Sequence, residues 1–365
     1  MSRVWLPCGY YHENYAKDQG WWQTPVIKGK MILLLFILFV VFPLTLSRYW
    51  LGVANMIGYT ALGALGVQLL IGYAGLITLG HAAFIAVGAY TSTLLILQFP
   101  WPGFLINWGL AYPLSIIIAG IVAGLWSVLF GLPSARVKGF YLILTTMAAQ
   151  FITVDFILTQ YVSQIGGRGQ AFSLPPGTIK IGPWVMDSDL KVYFLMIILL
   201  TLTVMMMSNL LRTRVGRAWV AIRDNDIAAE TLGINIYWYK LLNFFVAGFI
   251  GGIAGAFWVS NCAALSPEHF PWFWSLWLVG VILIGGAGID GAIFGSIFMV
   301  MVMELLQMAA IPLSEYWPRI LIFFAFIKDM AFGLAICAFL IYEPRGISYR
   351  WWQIKNYFNL WPFSY

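Results

Sequence analysis

The chain has 365 residues, is 61% hydrophobic and only 9% charged, and carries a formal net charge of +6; its mean hydropathy is +0.85. Lipid offers no partner to backbone amides, so separate apolar runs of about 20 residues predict an all-α, polytopic membrane protein with about eight to ten transmembrane helices. The cations sit in short stretches beside those runs and form no groove-reading motif, so the positive charge reflects membrane topology and nucleic acid is excluded as a partner.

In chain order, residues 1–30 form an aromatic leader containing Trp21 and Trp22, and the run at 31–47 follows with no small-residue cleavage site, which marks it as an uncleaved first span. Further apolar runs lie at 50–72, 82–98, 109–131, 140–162, 192–211 and 241–264. The segment 163–191 carries Gly-Gly and Pro-Pro pairs and reads as an outer loop with room for a small hairpin. The stretch 272–311 is too long for one crossing and is interrupted by GGAGIDGAIFG at 285–295, which predicts two short spans meeting in a glycine-rich bend. A last span is expected at 329–342, with the aromatic segment 313–328 lying flat at the outer interface. With both termini placed in the cytoplasm, fourteen Lys and Arg fall inside and six outside, in keeping with the positive-inside rule. The resulting organisation is a cytoplasmic leader at 1–30, a membrane domain at 31–342 and a cytoplasmic tail at 343–365.

One polar stretch interrupts this pattern. Residues 212–240 hold eight of the chain's thirty-four formal charges, among them Arg223, Asp224, Asp226 and Glu230. A basic approach leads to a turn at RDND and then to a short helix that Asp224 or Asp226 can N-cap and Gly233 can end. A helix that short is not stable alone and needs a surface. Two readings stay open: a cytoplasmic docking element for a partner, or a solvated loop whose arginines fix topology.

No catalytic constellation is present. His12, His81 and His269 are scattered, Cys8, Cys262 and Cys337 have neither disulfide nor metal spacing, and HExxH, P-loop and GxSxG motifs are missing, so an enzyme is not expected and no metal or cofactor is called for. Without a Walker motif, any transport driven by ATP would need a separate ATPase. Few ionisable groups fall within the runs: Asp155, close enough to the outer end of its span to meet water, and Glu304 near one end of its own. That scarcity removes the acidic relay of a proton pump and favours a neutral or zwitterionic solute. Glycine supplies the other signal. Gly72, Gly75 and Gly80 precede His81 in GYAGLITLGHAAF, and with Thr78 they predict a helix break that opens backbone groups to a pathway. His81 either joins that pathway or is an interfacial residue satisfied by its neighbours. Gly248, Gly251, Gly252 and Gly255 have the spacing of a close helix-packing face.

Several motifs in order carry a resemblance. GYAGLITLGHAAFIAVGAY at 72–90, RVKGFYLILTT at 136–146, the run from GRAWVAIRDNDIAAETLG at 216 to GGIAGA at 256, LVGVILIGGAGIDGAIFG at 278–295 and FGLAICAFLIYEPRG at 332–346 together resemble LivM-type permeases of branched-chain amino acid ABC importers. The resemblance implies an inner-membrane subunit paired with a second, LivH-type permease and two cytoplasmic ATPases that bind and hydrolyse ATP. It also implies a periplasmic binding protein that delivers the solute. The stretch 216–240 is similar to the family's coupling loop, with Ala228, Ala229 and Gly233 on the A-A-x-x-x-G part of the pattern and Ile227 where the general importer motif has glutamate. Arg223, Asp224, Asp226 and Glu230 are assigned to the ATPase contact, and Gly75, Thr78, His81 and Gln150 to the substrate pathway. Gln150 stands where the family commonly has glutamate, and GGRGQAF at 166–172 departs from the usual TGGxxGL. Related permeases are similar to importers of urea and short amides, which is the alternative substrate class; an ion-coupled carrier acting alone is the alternative mechanism.

Overall fold

The ten apolar runs all fold as helices. The computed structural model describes residues 25–360 apart from 138, 163–171, 175–178, 183, 263 and 317–319. Most of the leader, and all but Phe172 of GGRGQAF, therefore lie outside the described residues.

The first helix, α1, is built of Pro25–Phe36, a π-turn at Ile37–Val41 and Phe42–Thr45. Helix α2, Arg48–Gln68, continues as a π-turn through Leu69–Tyr73; α3 spans His81–Leu97, α4 Gly103–Asn107 and α5 Ala111–Ser134. Helix α6, Phe140–Phe151, runs on as a π-helix over Ile152–Val162. After α7 (Asp189–Arg212) come α8 (Arg214–Asp224), α9 (Asp226–Thr231) and α10 (Ile236–Asn261). Helices α11 (Trp272–Gly285), α12 (Ile289–Tyr316), α13 (Ile320–Tyr342) and α14 (Ile347–Leu360) complete the chain. Among the described residues, eight helical segments are long and apolar enough to cross a membrane, while α3, at 17 residues, is shorter. Strand is confined to two-residue pieces: Lys180–Ile181 pairs antiparallel with Trp184–Val185, the small hairpin expected in the 163–191 segment, and Phe172–Ser173 pairs with Ala264–Leu265.

Two expectations are corrected. The segment 313–328 does not stand as an element of its own: residues to Tyr316 extend α12, in which Pro312 does not end the helix, and those from Ile320 belong to α13. The polar stretch 212–240 is a pair of helices rather than a loop, since VGRAWVAI buries Gly216, Ala218, Trp219 and Ile222 and so gives the basic approach an apolar stripe.

Helix α10 is the centre of the bundle and lies along α5, α3 and α2. Its approach to α5 and α3 is set by glycine. A Cβ at Gly248 would meet Ser127, one at Gly252 would meet the Ala119 carbonyl, and one at Gly255 would collide with the Ile85 carbonyl. Tyr112 reinforces the seam by donating its hydroxyl hydrogen to the Ala256 carbonyl at 3.0 Å. This is the close-packing face that the small-residue spacing predicts, held by dispersion and backbone proximity in a setting where lipid supplies no hydrophobic drive.

Candidate functional site

The charged element is held down by one aromatic residue. Trp219 of α8 is fully buried and donates its indole hydrogen to the Tyr239 carbonyl at 2.8 Å, fixing α8 against the start of α10. Gly216 lets α8 fold back closely on Leu211 of α7. Then the chain turns. Asn225, in an extended conformation, accepts a hydrogen bond from the Ala228 amide at 3.1 Å and N-caps α9, which corrects the expectation that Asp224 or Asp226 would do so. Asp224 instead closes α8 and Asp226 opens α9. Gly233 ends α9 with φ +82°, the Gly233 amide donating to the Glu230 carbonyl and the Ile234 amide to the Ala229 carbonyl. These two bonds form a Schellman closure, which requires the left-handed residue that only glycine adopts freely. Ala229 is buried, while Ala228 and Glu230 are exposed and Ile227 and Leu232 are 70% and 80% exposed. Helix α9 therefore presents two large apolar side chains beside a carboxylate.

The glycine-rich break lies next to this element. Arg223 donates from Nη1 to the Gly72 carbonyl at 2.6 Å, and its Nη2 forms an ion pair with Asp224 at 2.9 Å. The Gly72 carbonyl is reachable because α2 loosens into its π-turn there. Gly75 follows with φ +69°, and a Cβ on it would stand 3.0 Å from Arg223 Cγ. Residues 75–80 are then non-helical. Orphaned amides here and in the first turn of α3 are met by hydroxyls: Leu79 donates to Thr146 Oγ1 at 3.2 Å, Gly80 to Thr78 Oγ1 at 3.3 Å, and Ala82 to Ser275 Oγ at 2.9 Å. An unwound segment buried among helices survives only with such partners, and α6 and α11 provide two of them.

His81, the first residue of α3, is not interfacial. It is fully buried, its ring wedged between Gly66 of α2 and Gly251 of α10, and neither ring nitrogen has a hydrogen-bond partner among the described residues. Gln150 lies one turn beyond Thr146 on α6 and donates to the Phe270 carbonyl at 3.0 Å, leaving its own Oε1 without a partner among the described residues. The structure thus joins Gly75, Thr78 and His81 in one segment and sets Gln150 beside it, while bringing Arg223 onto that segment from the charged element. Sequence reasoning missed Gln68 and Asn243. Both are buried against the π-turn, Asn243 donating to the Leu69 carbonyl at 3.0 Å and Gln68 lying against Gly72. Their signal was an amide set within a largely apolar stretch of each helix.

A multi-pass helical bundle with a broken core helix, tied by one arginine to a capped surface helix, defines a membrane permease. The chain belongs to the family described as the permease component of branched-chain amino acid transport systems, whose model matches residues 49–338. It is thus an ABC-transporter permease subunit. It is 28% identical over 344 residues to the high-affinity branched-chain amino acid transport system permease protein LivM of Escherichia coli (strain K12), a match covering 88% of this chain and 75% of that one. The guanosine ABC transporter permease protein NupQ of Bacillus subtilis (strain 168) is 25% identical over 200 residues, covering 52% and 60% of the two chains. The autoinducer 2 import system permease protein LsrC of Salmonella typhimurium is 24% identical over 323 residues, covering 86% and 84%. These relatives are transport permeases rather than enzymes. No solved structure matches.

Proposed function

We propose that this chain is the LivM-like subunit of an inner-membrane importer of branched-chain or related amino acids. In this reading it pairs with a second, LivH-type permease, docks two cytoplasmic ATPases through α8 and α9, and receives solute from a periplasmic binding protein. Both termini lie on the ATPase side, with 31–342 as the membrane domain, 1–30 as leader and 343–365 as tail. The chain performs no chemistry; ATP bound by the partners biases two arrangements of its helices. Arg223, Asp224, Asp226, Ala228, Ala229, Glu230 and Gly233 form the docking element, and Gly75, Thr78, His81 and Gln150 belong to the pathway.

The observation that carries the reading is the Arg223 bond to the Gly72 carbonyl, a direct connection from the exposed helix pair to the break. A displacement of α8 and α9 reaches the break through this single side-chain bond. Membership of an ABC-permease family sets aside the solitary ion-coupled carrier, while the identity of the LivM relative favours amino acids over guanosine or urea-like amides. The test replaces residues 224–230 by a Gly/Ser linker in the assembled transporter and follows leucine uptake with ATP and co-purification of the ATPases. Loss of both is expected; retention of both overturns the docking role.

A further inference from the structure

At the end of the bundle remote from the Arg223 contact, a cavity of about 500 Å³ opens between α2, the far end of α10, α11, α12 and α13. Tyr59, on its wall, precedes Gly72 along α2 by thirteen residues, or roughly 20 Å at the helical rise. Its ring is held between Trp258 and Trp274, with centroids 4.5 Å and 4.7 Å away, and the two tryptophans are 5.9 Å apart. Tyr59 is 2% exposed, yet its hydroxyl has no hydrogen-bond partner among the described residues.

The charge on the same wall is one-sided. Glu268, Glu304 and Asp329 line the cavity against one cation among the lining residues, Lys328. That lysine donates to Gln307 Oε1 at 3.1 Å and stands 4.6 Å from the centre of the Phe324 ring, so its hydrogen bond goes to an amide rather than to a carboxylate. Aromatic rings attract cations electrostatically, and carboxylates that outnumber the neighbouring cations favour a positive guest. A buried hydroxyl without a partner also calls for a polar guest. A nucleoside or sugar would supply hydroxyls but no charge.

We propose that this cavity seats the ammonium group of the transported solute, with Glu304 and Asp329 supplying the countercharge and the mutually packed rings of Tyr59, Trp258 and Trp274 forming one wall. The permease then selects amino-bearing solutes over nucleosides and sugars. This rests on the chain being a translocating permease and specifies what the far end of its pathway recognises.

The test uses the complete transporter in proteoliposomes with leucine and guanosine as probes. Glu304→Gln is expected to lower leucine uptake by about tenfold or more, with Glu304→Asp recovering part of it and the subunits still co-purifying. A second measurement needs no variant: carbodiimide labelling of Glu304 in the wild-type protein, followed by mass spectrometry. Leucine and tetramethylammonium are expected to slow that labelling and guanosine to leave it unchanged. Labelling unaffected by either amine overturns the ammonium seat whatever the variants do. If leucine uptake also persists in Glu304→Gln/Asp329→Asn, the seat fails and the permease reading stands. If the wild-type transporter carries guanosine instead of leucine and neither amine protects Glu304, the seat and the amino acid reading fail together.

Discussion

Two glycine-rich stretches of this chain have similar composition and opposite consequences. Gly248, Gly252 and Gly255 sit inside an unbroken helix and remove side chains so that α10 can touch α5 and α3. Gly72, Gly75 and Gly80 accompany the end of one helix and the start of another, and at Gly75 the backbone is left-handed. The contrast shows that glycine count says little until spacing is considered. Residues repeating every three or four positions keep one face of a helix smooth, whereas glycines interspersed with Thr78 and lacking that rhythm let the chain leave the helix and require hydroxyls from elsewhere. The first stretch is bound to backbone on two sides; the second is bound to a side chain, Arg223, that belongs to a surface element.

Breaking the seam should have the largest effect. Gly255→Leu places a side chain against the Ile85 carbonyl, a backbone group that cannot swing away. Overpacking costs about 1–3 kcal/mol where neighbours can yield, and here the expected outcome is loss of monodisperse protein in detergent; a variant that elutes and melts like the wild type would show the seam to be slack. Arg223→Ala acts on the other stretch. It removes a charge-assisted bond, and with the side chain 33% exposed the expected cost is about 1–2 kcal/mol, too little to unfold the bundle. Uptake per ATP hydrolysed should fall several-fold while the melting temperature hardly moves, and an unchanged coupling ratio would deny the connection any mechanical part.

Gly233→Ala sharpens the comparison further, because nothing lies within 4 Å of the added methyl and only backbone conformation is at stake. A cost of about 1 kcal/mol is expected, read as faster hydrogen exchange across 226–232 by mass spectrometry, with Gly233→Asn closer to wild type. Asn225→Ala should be mildest, about 0.5 kcal/mol at an exposed cap. It is expected to raise the same exchange rates slightly, and Asn225→Asp should restore them.

Much of this architecture was legible in the residues. Apolar runs bounded by Gly, Pro or charge predicted the helices because lipid leaves the backbone no other solution, and the GGAGIDGAIFG bend lies where α11 hands over to α12. The cap of α9 was misread for a simple reason: in RDND, Asp and Asn are nearly equivalent as caps, and only the tertiary start of the helix decides that Asn225 takes the role. The segment 313–328 was misread because the charge of Lys328 at its end looked like a boundary, whereas α13 carries it in mid-helix. His81 could not be placed from sequence at all. Its burial depends on Gly66 and Gly251, which come from two helices distant in the chain. The aromatic cavity is similarly assembled from five helices, so no local pattern announced it.

The close of the bend at Gly286 has a consequence for how the molecule is made. Gly286, with φ +94°, packs directly against Arg345 and Gly346, the latter also left-handed at φ +76°. The hinge joining α11 to α12 is therefore clasped by residues synthesised nearly sixty positions later. Membrane insertion of the preceding helices can proceed from the N-terminus, but this corner locks only after Arg345 and Gly346 have been made. The carboxyl-terminal segment is in that sense the latch of the assembly, and a nascent chain halted at Tyr342 would be a bundle with one corner unfastened.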